Sequence, residues 1–502
     1  MKIAISYPPI ESGKGVPLLS QNRQFQWFNS PTYIYPMVPA YAATMLKQHG
    51  FEVVWDDAIA EGLTYSQWLE RIKNERPDVI VIETKTPVIK CHWEIINDLK
   101  KLSTFNFQPL TVLMGDHVTA LPEESMQNSP VDFVLTGGDY DFLLLNLCNM
   151  IKDAPSLSPF ALHPSPNLEP GIWYRQNGRV NGTGQFQLNH NLDTLPLIDR
   201  DLTKWRLYSE KNGNYKRLPG TYTMVGRDCW YHKCTFCSWT TTYPQFRTRR
   251  PESLLNEVGA LIEKYGVKEI MDDTGTFPIG EWLRNFCKGM IENRYNKKIF
   301  MDCNMRFGAA SREDYELMKE AGFRLLLFGI ESANQSTLDR LKKGLKVEEI
   351  IESCKQARSA GLYPHITIMF GYPWETYEEA LNTLNLGRWL LKKGYAWTVQ
   401  ATVVIPYPGT PLFEECKVNN WLETMDWDKF DMREPVMKTS LPKEQVMELV
   451  QGIYSTAFNP EFLIRRMLTI KDISDIKYFL RAGGKVFGHL MDFKGKAKEK
   501  NC

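Results

Sequence analysis

The chain of 502 residues contains no uninterrupted run of roughly 18 apolar residues, so no transmembrane helix is predicted. It also lacks an excess of one charge sign, since 60 Lys and Arg face 59 Asp and Glu and the net charge is +1. That balance of the whole chain gives no electrostatic reason to expect nucleic acid or an anionic membrane as a partner. The first residues, MKIAISYPPI, lack the apolar core of a signal peptide. We therefore expect a cytoplasmic protein.

Cysteines are scattered singly, except at one place. Cys229, Cys234 and Cys237 lie close together in GRDCWYHKCTFCSW, with His232 among them. Thiolates bind soft metals and iron–sulfur clusters, so the three cysteines predict either a cluster or a zinc site. A second CxxC pair, which a zinc site built from two knuckles would supply, does not occur in the sequence. Three thiols without a clear fourth ligand favour a 4Fe–4S cluster with one open iron; zinc and inert thiols are the alternatives.

Strand and helix patterns alternate in two series that are separated by a different kind of segment. Residues 1–150 alternate β-branched runs such as KIAIS, FEVVW and DVIVIET with amphipathic stretches, which predicts an α/β domain with a doubly wound, Rossmann-like sheet. Residues 151–215 are predicted to form a linker, rich in Pro and Ser, that carries a small hairpin. Residues 216–425 hold six strand–helix units, typical of a partial (β/α)6 barrel of the TIM type. Residues 426–502 are predicted to be mainly helical.

Ligands of parallel sheets bind at the carboxyl ends of the strands. The three cysteines follow TYTMV, the first predicted strand of the second series, and therefore lie at that end. In the first series, the loops after Trp55, Glu83, Gly115 and Thr136 are expected to face a ligand.

Five further segments follow the cysteines in a recognisable order: FRTRRPESLLNEV, IMDDTGTF, FGIESANQSTLDRLKKG, IMFGYPWET and VIPYPGTPLFEECK. Together with CTFC, they resemble the radical S-adenosylmethionine (SAM) enzymes, and the whole chain resembles their cobalamin-binding subgroup. The usual spacing in that family leaves three residues between the first two cysteines, whereas CWYHKC leaves four. We expect the longer loop still to close on the cluster, with an altered shape near the open iron.

The resemblance implies that Cys229, Cys234 and Cys237 hold a 4Fe–4S cluster whose open iron chelates the amino and carboxylate groups of SAM. An external electron donor of the flavodoxin or ferredoxin type would reduce the cluster, and cleavage of SAM would give a 5′-deoxyadenosyl radical. The same motifs imply contacts with SAM at Phe236, Asp272, Arg306, Glu331 and Tyr372. Each of the last four could instead be a structural residue at a strand end.

The first series resembles cobalamin-binding domains. Many of those carry Asp-x-His-x-x-Gly, whereas the sequence here is DAIAEG, which has no His to ligate cobalt. The radical SAM subgroup typically lacks that ligand as well. The positions implied to contact cobalamin are Asp57, Glu61, Gly62, Thr84, Thr86, Gly115, His117 and Gly137. Two departures from the family pattern, Asp116 in place of Pro and Gly138 in place of Glu, leave open a vestigial domain that no longer binds cobalamin.

The function that the resemblance implies is methyl transfer to a poorly activated carbon. One SAM would methylate cobalamin, a second would yield the radical that removes a substrate hydrogen, and the substrate radical would take the methyl group. The alternatives are non-methylating chemistry with the same cofactors, such as oxidative cyclisation or ring rearrangement, and a radical SAM enzyme whose first domain is vestigial. A zinc-stabilised binding protein is a remote alternative. The substrate is expected to be a small molecule or a lipid-like compound, and the sequence identifies no substrate-specific residue.

Overall fold

The computed structural model describes residues 1–19, 25–102, 107–153, 168–176, 178–213, 215–227, 229–470 and 473–492. The Pro- and Ser-rich stretch at 154–167 and the lysine-rich tail at 493–502 lie outside the described residues. None of the described helices combines the length and the hydropathy needed to cross a bilayer.

The strands of the amino-terminal half form one large sheet and one short pair. In chain order they are β1 (Lys2–Tyr7), β2 (Val16–Pro17), β3 (Trp27–Phe28), β4 (Glu52–Asp57), β5 (Val79–Thr84), β6 (Leu110–Gly115), β7 (Phe133–Leu135), β8 (Ile172–Gln176) and β9 (Arg179–Gly182). The large sheet has the order β4-β1-β5-β6-β7-β8-β9, and β2 pairs with β3. Five strands run parallel, and the hairpin β8–β9 adds two antiparallel strands beside β7. The hairpin predicted from the sequence is therefore part of the first sheet.

Helices cover the parallel strands, whose residues are almost all buried, as expected for a sheet packed on both faces. They are α1 (Met37–Gln48), α2 (Ala58–Glu61), α3 (Tyr65–Glu75), α4 (Ile89–Lys101), α5 (Asp116–Ala120), α6 (Pro122–Asn128) and α7 (Tyr140–Asp153). At the start of α3, Thr64 and Gln67 form a reciprocal capping box, which satisfies amides that the helix leaves free. The predicted Rossmann-like fold is confirmed.

The second large sheet has six parallel strands in the order β10-β13-β14-β15-β16-β17. These and a short antiparallel pair are β10 (Gly220–Thr223), β11 (Gly226–Arg227), β12 (Arg247–Thr248), β13 (Glu269–Asp272), β14 (Phe300–Met305), β15 (Phe323–Glu331), β16 (Tyr363–Phe370) and β17 (Thr398–Val403). Strand order follows chain order, as in a barrel built from successive strand–helix units. The predicted partial barrel is confirmed, and the domain boundaries stay predictions.

Helices alternate with the strands of the second sheet and make up most of the chain after it. They are α8 (Trp239–Thr242), α9 (Pro251–Tyr265), α10 (Glu281–Glu292), α11 (Arg312–Glu320), α12 (Gln335–Arg340), α13 (Val347–Ser359), α14 (Tyr377–Lys393), α15 (Pro411–Val418), α16 (Lys443–Gly452), α17 (Pro460–Met467) and α18 (Ile473–Asp492). The longest helix between strands, α14, begins with a capping box of Thr376 and Glu379 and ends at Gly394 in the left-handed conformation. The predicted helical carboxyl-terminal region is confirmed.

Candidate functional site

A cavity of about 250 Å³ lies at the carboxyl end of the second sheet, and all three clustered cysteines line it. Each of the three is partly buried, and the sulfur of Cys229 lies 2.9 Å from the hydroxyl oxygen of Thr276. Other lining residues come from several different strands or the loops after them: Phe236, Arg306, Glu331, Lys343, His365, Thr367, Gln400 and Tyr407. The fold therefore collects side chains that are far apart in sequence around the cysteine loop.

The three thiols share one cavity. Among the residues that the structure describes, no three His, Cys, Asp or Glu side chains are arranged to hold a single metal ion. A zinc ion would need its sulfur ligands at about 2.3 Å, whereas the thiolates of an iron–sulfur cluster bind different irons. Three thiols that line one cavity are a donor set that an iron–sulfur cluster can use.

A buried lysine supplies positive charge beside the cysteines. The ammonium of Lys343 lies 2.7 Å from the carboxylate of Glu331 and 5.7 Å from the ring centroid of Phe236. Burial raises the pKa of the Cys234 thiol, and the charge of Lys343 acts in the opposite direction by favouring the thiolate. Lys343 was not among the predicted site residues, because nothing in the pattern KKG indicates that the loop after α12 returns to the cavity.

The backbone at the end of β15 is irregular beside this ion pair, because its pairing with β16 shifts register between Gly329 and Glu331. Glu331 has a φ of 67°, a left-handed conformation that costs a residue other than glycine about 1–2 kcal/mol. A Cβ added at Gly329 would lie 2.0 Å from a carboxylate oxygen of Glu331 and 2.9 Å from the nitrogen of Lys343. Backbone strain of this kind clusters at functional sites. Gly329 and Glu331 together therefore form a polar part of the cavity wall.

Of the five positions predicted to contact SAM, three line the cavity: Phe236, Arg306 and Glu331. The guanidinium of Arg306 stacks 3.6 Å from the ring centroid of Tyr231 and donates hydrogen bonds to the backbone carbonyls of Lys343 and Gly344. Arg306 thus joins the cysteine loop to the loop that carries Lys343.

The other two positions, Asp272 and Tyr372, lie behind the cavity wall. Asp272 is fully buried and accepts hydrogen bonds from the Thr223 hydroxyl (2.8 Å) and the Val225 amide (3.1 Å). Burial raises its pKa. Tyr372 is buried in a small apolar cluster against which Phe236 packs. Both have structural roles at strand ends, and their contact with SAM stays a prediction.

Residues at and just after the end of β4 contact the segment that follows the hairpin β8–β9. Asp57 accepts a hydrogen bond from the Tyr208 hydroxyl at 2.6 Å, and burial raises its pKa to about 6. Glu61 pairs with the ammonium of Lys204 at 2.6 Å, and Gly62 ends α2 in the left-handed conformation. Their part in binding cobalamin stays a prediction.

A buried carboxyl group with an unusual pKa lies at the end of β5. Glu83 accepts hydrogen bonds from the hydroxyls of Tyr7 (2.5 Å) and Tyr140 (2.8 Å). Burial raises its pKa to about 7, which the two hydroxyl donors only partly offset. The sequence pattern indicates a strand end here but not this titrating group.

A gap of about 20 Å³ separates the carboxyl end of the first sheet from loops of the second. Lys85, Thr86 and Asp116 line it from the first half of the chain, and Ser238 and Tyr407 line it from the second. Tyr407 also lines the cysteine cavity. The reactive ends of the two sheets therefore face each other, and Tyr407 stands between the two spaces.

Thr84 and His117, two further positions predicted for cobalamin, lie deeper than this gap. The hydroxyl of Thr84 lies 2.7 Å from Nδ1 of His92. His117 is buried, with Nε2 2.9 Å from a carboxylate oxygen of Glu124 and its ring 5.4 Å from that of Trp427. Burial lowers the pKa of His117 although Glu124 acts in the opposite direction. The structure thus packs His117 among protein groups.

The two predicted glycines are places of close approach. Gly115 has a φ of 124°, and a Cβ there would lie 2.3 Å from the carbonyl oxygen of Thr84. Gly137 has a φ of 82°, and a Cβ there would lie 2.4 Å from the ring of Phe186. Only glycine fits either position without rearrangement.

Buried charges join the two halves of the chain just before the first cysteine. Arg227 lies 2.8 Å from carboxylate oxygens of both Asp139 and Asp141, and Arg247 lies 2.6 Å from Asp139. Nδ1 of His190 lies 3.0 Å from the same Asp139. Burial alone would raise the pKa of Asp139, but the two arginines and His190 outweigh it and hold that pKa well below its usual range. We call these five residues the ionic clamp; no sequence pattern indicates it.

Residues 426–432, which we call the closing segment, contact the first half of the chain. Lys14 and Lys90 form ion pairs with aspartates of this segment. The indole of Trp427 donates a hydrogen bond to Glu124 at 2.9 Å. The closing segment therefore covers α5 and α6 near the gap.

The fold and the site define an α/β barrel protein with a cavity at its mouth that three cysteines line. A family profile described as the Radical SAM superfamily matches residues 224–387, which include these cysteines. Residues 224–387 therefore resemble the radical SAM superfamily, in agreement with the motifs that follow the cysteines in the sequence.

Relatives align along most of the chain. An uncharacterized methyltransferase, PH0819, of Pyrococcus horikoshii is 29% identical over 454 residues, which are 89% of this chain and 91% of the relative. The anaerobic magnesium-protoporphyrin IX monomethyl ester cyclase of Cereibacter sphaeroides is 25% identical over 473 residues, 90% of this chain and 72% of the cyclase.

Two solved structures have a similar fold. The radical SAM methyltransferase TsrM of Kitasatospora setae, with cobalamin and a [4Fe-4S] cluster bound, superposes with a TM-score of 0.63 at 16% identity, over 83% of this chain and 78% of that one. The cobalamin-dependent SAM radical enzyme OxsB superposes with a TM-score of 0.69 at 15% identity, over 98% of this chain and 72% of that one. At these identities the likeness establishes the two-sheet fold.

Proposed function

We propose that this chain is a cobalamin-dependent radical SAM enzyme that transfers a methyl group to a poorly activated carbon. The observation that carries the proposal is the opposition of the two sheets, with Tyr407 lining both the cysteine cavity and the gap. Such a reaction needs a radical source and a methyl donor on either side of one substrate. A relative named as a methyltransferase that aligns along 89% of this chain supports methyl transfer.

The cysteine cavity suits a cluster with SAM. Cys229, Cys234 and Cys237 would hold the cluster, and the paired charges of Lys343 and Glu331 match the carboxylate and ammonium of an amino acid. When bound, the cluster with SAM supplies a 5′-deoxyadenosyl radical and methylcobalamin supplies a methyl group. The chain's own residues orient these groups and exclude water.

The side chains that line the gap suit cobalamin, but the gap is too narrow to hold it as it stands. Thr86, Lys85 and Asp116 offer a hydroxyl, an ammonium and a carboxylate to the amide-rich rim of a corrin. Enclosed ligands need about 300 Å³ or more, whereas the gap measures about 20 Å³. We therefore propose that Tyr407 and the closing segment move apart when cobalamin binds.

Polar side chains line the floor of the cysteine cavity and favour a substrate with an uncharged polar group. His365 lines the cavity with Nδ1 2.7 Å from the Thr398 hydroxyl, and burial lowers its pKa to about 4. The imidazole is therefore neutral at pH 7 and can exchange a hydrogen bond with an uncharged polar group. Gln400 and Thr367 line the same floor. A small or lipid-like substrate, an external electron donor and a cytoplasmic location remain part of the proposal.

Methyl transfer can be tested without knowing the substrate. The protein is reconstituted anaerobically, reduced in the presence of cobalamin, and incubated with SAM that carries a trideuterated methyl group. We expect labelled methylcobalamin by mass spectrometry. Its absence, when cluster and cobalamin are both bound, would contradict methyl transfer.

A second candidate is oxidative ring formation with the same cofactors, because a relative named as an anaerobic cyclase aligns along 90% of this chain. In that case, 5′-deoxyadenosine would form without S-adenosylhomocysteine, since no methyl group leaves SAM. Formation of both products in similar amounts favours the methyltransferase. A third outcome is that the yield of 5′-deoxyadenosine is the same with and without cobalamin. That result would indicate a vestigial first domain.

A further inference from the structure

Exposed apolar side chains are concentrated at one place on the surface. Eight of the thirteen large apolar side chains that are exposed in the described part of the chain fall within residues 463–480. Leu468, Leu480 and Ile473 are exposed to 80%, 73% and 72%. Soluble proteins rarely present a contiguous apolar patch unless something covers it.

The spacing of these residues puts them on one side of two successive helices. In α18, Ile473, Ile476 and Leu480 recur at intervals of three and four residues, which is the spacing of one helix face. In α17, Leu463 and Met467 have the same relation. We call the exposed apolar side chains of residues 463–480 the apolar row.

The opposite sides of the two helices are packed on the barrel. The guanidinium of Arg466 stacks 3.6 Å from the ring centroid of Trp397, which directly precedes β17. Asp475 pairs with Lys216 at 2.6 Å, and Tyr478 is buried. These contacts hold α17 and the first part of α18 near the amino ends of β10 and β17 and leave the apolar row outward. The helix α18 also contacts β3.

The segment that carries the apolar row is basic in sequence. Residues 461–502 contain ten Lys and Arg and five Asp and Glu, whereas the rest of the chain contains 50 and 54. Arg465 and Lys477 are exposed within the row itself. An apolar helix face bordered by Lys and Arg is typical of helices that lie in the interface of an anionic bilayer.

We infer that the apolar row attaches this enzyme to the surface of an anionic phospholipid bilayer, with α17 and the first part of α18 in contact with the interface. A second copy of the chain is a poorer occupant, because a twofold contact would bring the same basic segment against itself. An acidic electron donor is also a poorer occupant, because the row lies at the end of the barrel opposite the cysteines, about 20 Å away along a six-residue strand. This inference is independent of the proposed reaction.

The test is sedimentation of the full-length protein with vesicles of phosphatidylcholine, made with and without phosphatidylglycerol. Wild type should bind the vesicles that contain phosphatidylglycerol, and high salt should weaken that binding. Leu468→Glu combined with Ile473→Glu should weaken binding by about tenfold or more, because both charges would enter the apolar interface. Lys477→Gln should weaken it by about fivefold through the lost charge.

Val418→Glu is the matched control, because Val418 is 85% exposed on α15 and lies outside the row; it should bind as wild type does. Circular dichroism of each variant checks that it is folded. Wild type that fails to bind phosphatidylglycerol vesicles would overturn the inference, and so would a double variant that binds them equally well. Light scattering that reveals a dimer, dissociated by the double variant, would assign the row to self-association instead.

Discussion

Asp139→Asn tests the ionic clamp, because this one change removes the carboxylate that Arg227, Arg247 and His190 share while keeping the size of the side chain. The side chains of Asp139 and Arg227 are each only 2% exposed. Removing one partner of a buried ion pair typically costs about 3–5 kcal/mol, since the remaining charge stays out of water. Arg227 keeps Asp141 as a partner, so we expect the lower end of this range. In urea, a slope of about 3 kcal/mol per molar converts this loss to a midpoint lower by about 1 M or more.

The matched control is Glu316→Gln in the exposed pair of Arg312 and Glu316, whose side chains are 67% and 52% exposed. Such pairs contribute about 0–1 kcal/mol, so its midpoint should barely move. Urea unfolding of both variants is measured on protein that carries no cluster, and tryptophan fluorescence reports the unfolded fraction. Equal midpoints for the two variants would refute the clamp.

The same substitution should change the pH dependence of stability. Burial lowers the pKa of His190, but Asp139 and Glu169 outweigh it and raise that pKa to about 9. The stabilisation from protonated His190 is therefore complete below its ordinary pKa of 6.5 and is lost as the pH rises through about 9. In Asp139→Asn, the alkaline loss of stability should begin at lower pH and be smaller. An unchanged profile would mean that Asp139 does not hold the imidazolium.

Three further predictions concern Cys234 and Lys343 in the cysteine cavity and Glu83 at the end of β5. Cys234→Ala should leave less than half of the wild-type iron after anaerobic reconstitution, while Cys354→Ala, a buried cysteine on α13, should retain it, so equal iron in both would contradict the cluster assignment. Lys343→Met should weaken SAM binding by about tenfold or more, as expected for loss of a charge-assisted hydrogen bond, in equilibrium dialysis; unchanged binding would remove Lys343 from the SAM site. Burial raises the pKa of Glu83 to about 7, so the protonated form stabilises the fold below its ordinary pKa and this contribution is lost as the pH rises through about 7. Glu83→Gln, neutral at every pH, should therefore melt above wild type at pH 8 and show no such gain at pH 5, and a gain at both would contradict the titration.

The strands and the cysteine cluster could be predicted from the sequence, because both depend on local patterns of residues. The predicted runs KIAIS and DVIVIET overlap β1 and β5, and the six strand–helix units predicted for the second series correspond to its six parallel strands, because buried parallel strands are continuous apolar runs. The cysteines were found because three thiols at short spacing are rare outside metal sites. The site residues Phe236, Arg306 and Glu331, which the family resemblance implied, do line one cavity.

The contacts that the sequence did not predict join residues far apart in the chain. Arg227 meets Asp139 across 88 residues, and Lys90 meets the closing segment across 336. No periodicity encodes such pairs, since each partner alone looks like an ordinary surface charge. Asp272 is the opposite case. Its position at an acidic strand end resembles a ligand position, but in the structure its carboxylate accepts hydrogen bonds from Thr223 and Val225.

The measurement that tests the central claim most directly is the metal content of the anaerobically reconstituted protein, supplied with iron, sulfide and hydroxocobalamin. The account predicts about four irons per chain together with one cobalt, and an absorption spectrum that contains both chromophores. Iron without cobalt would contradict the proposed cobalamin site and with it the methyl transfer.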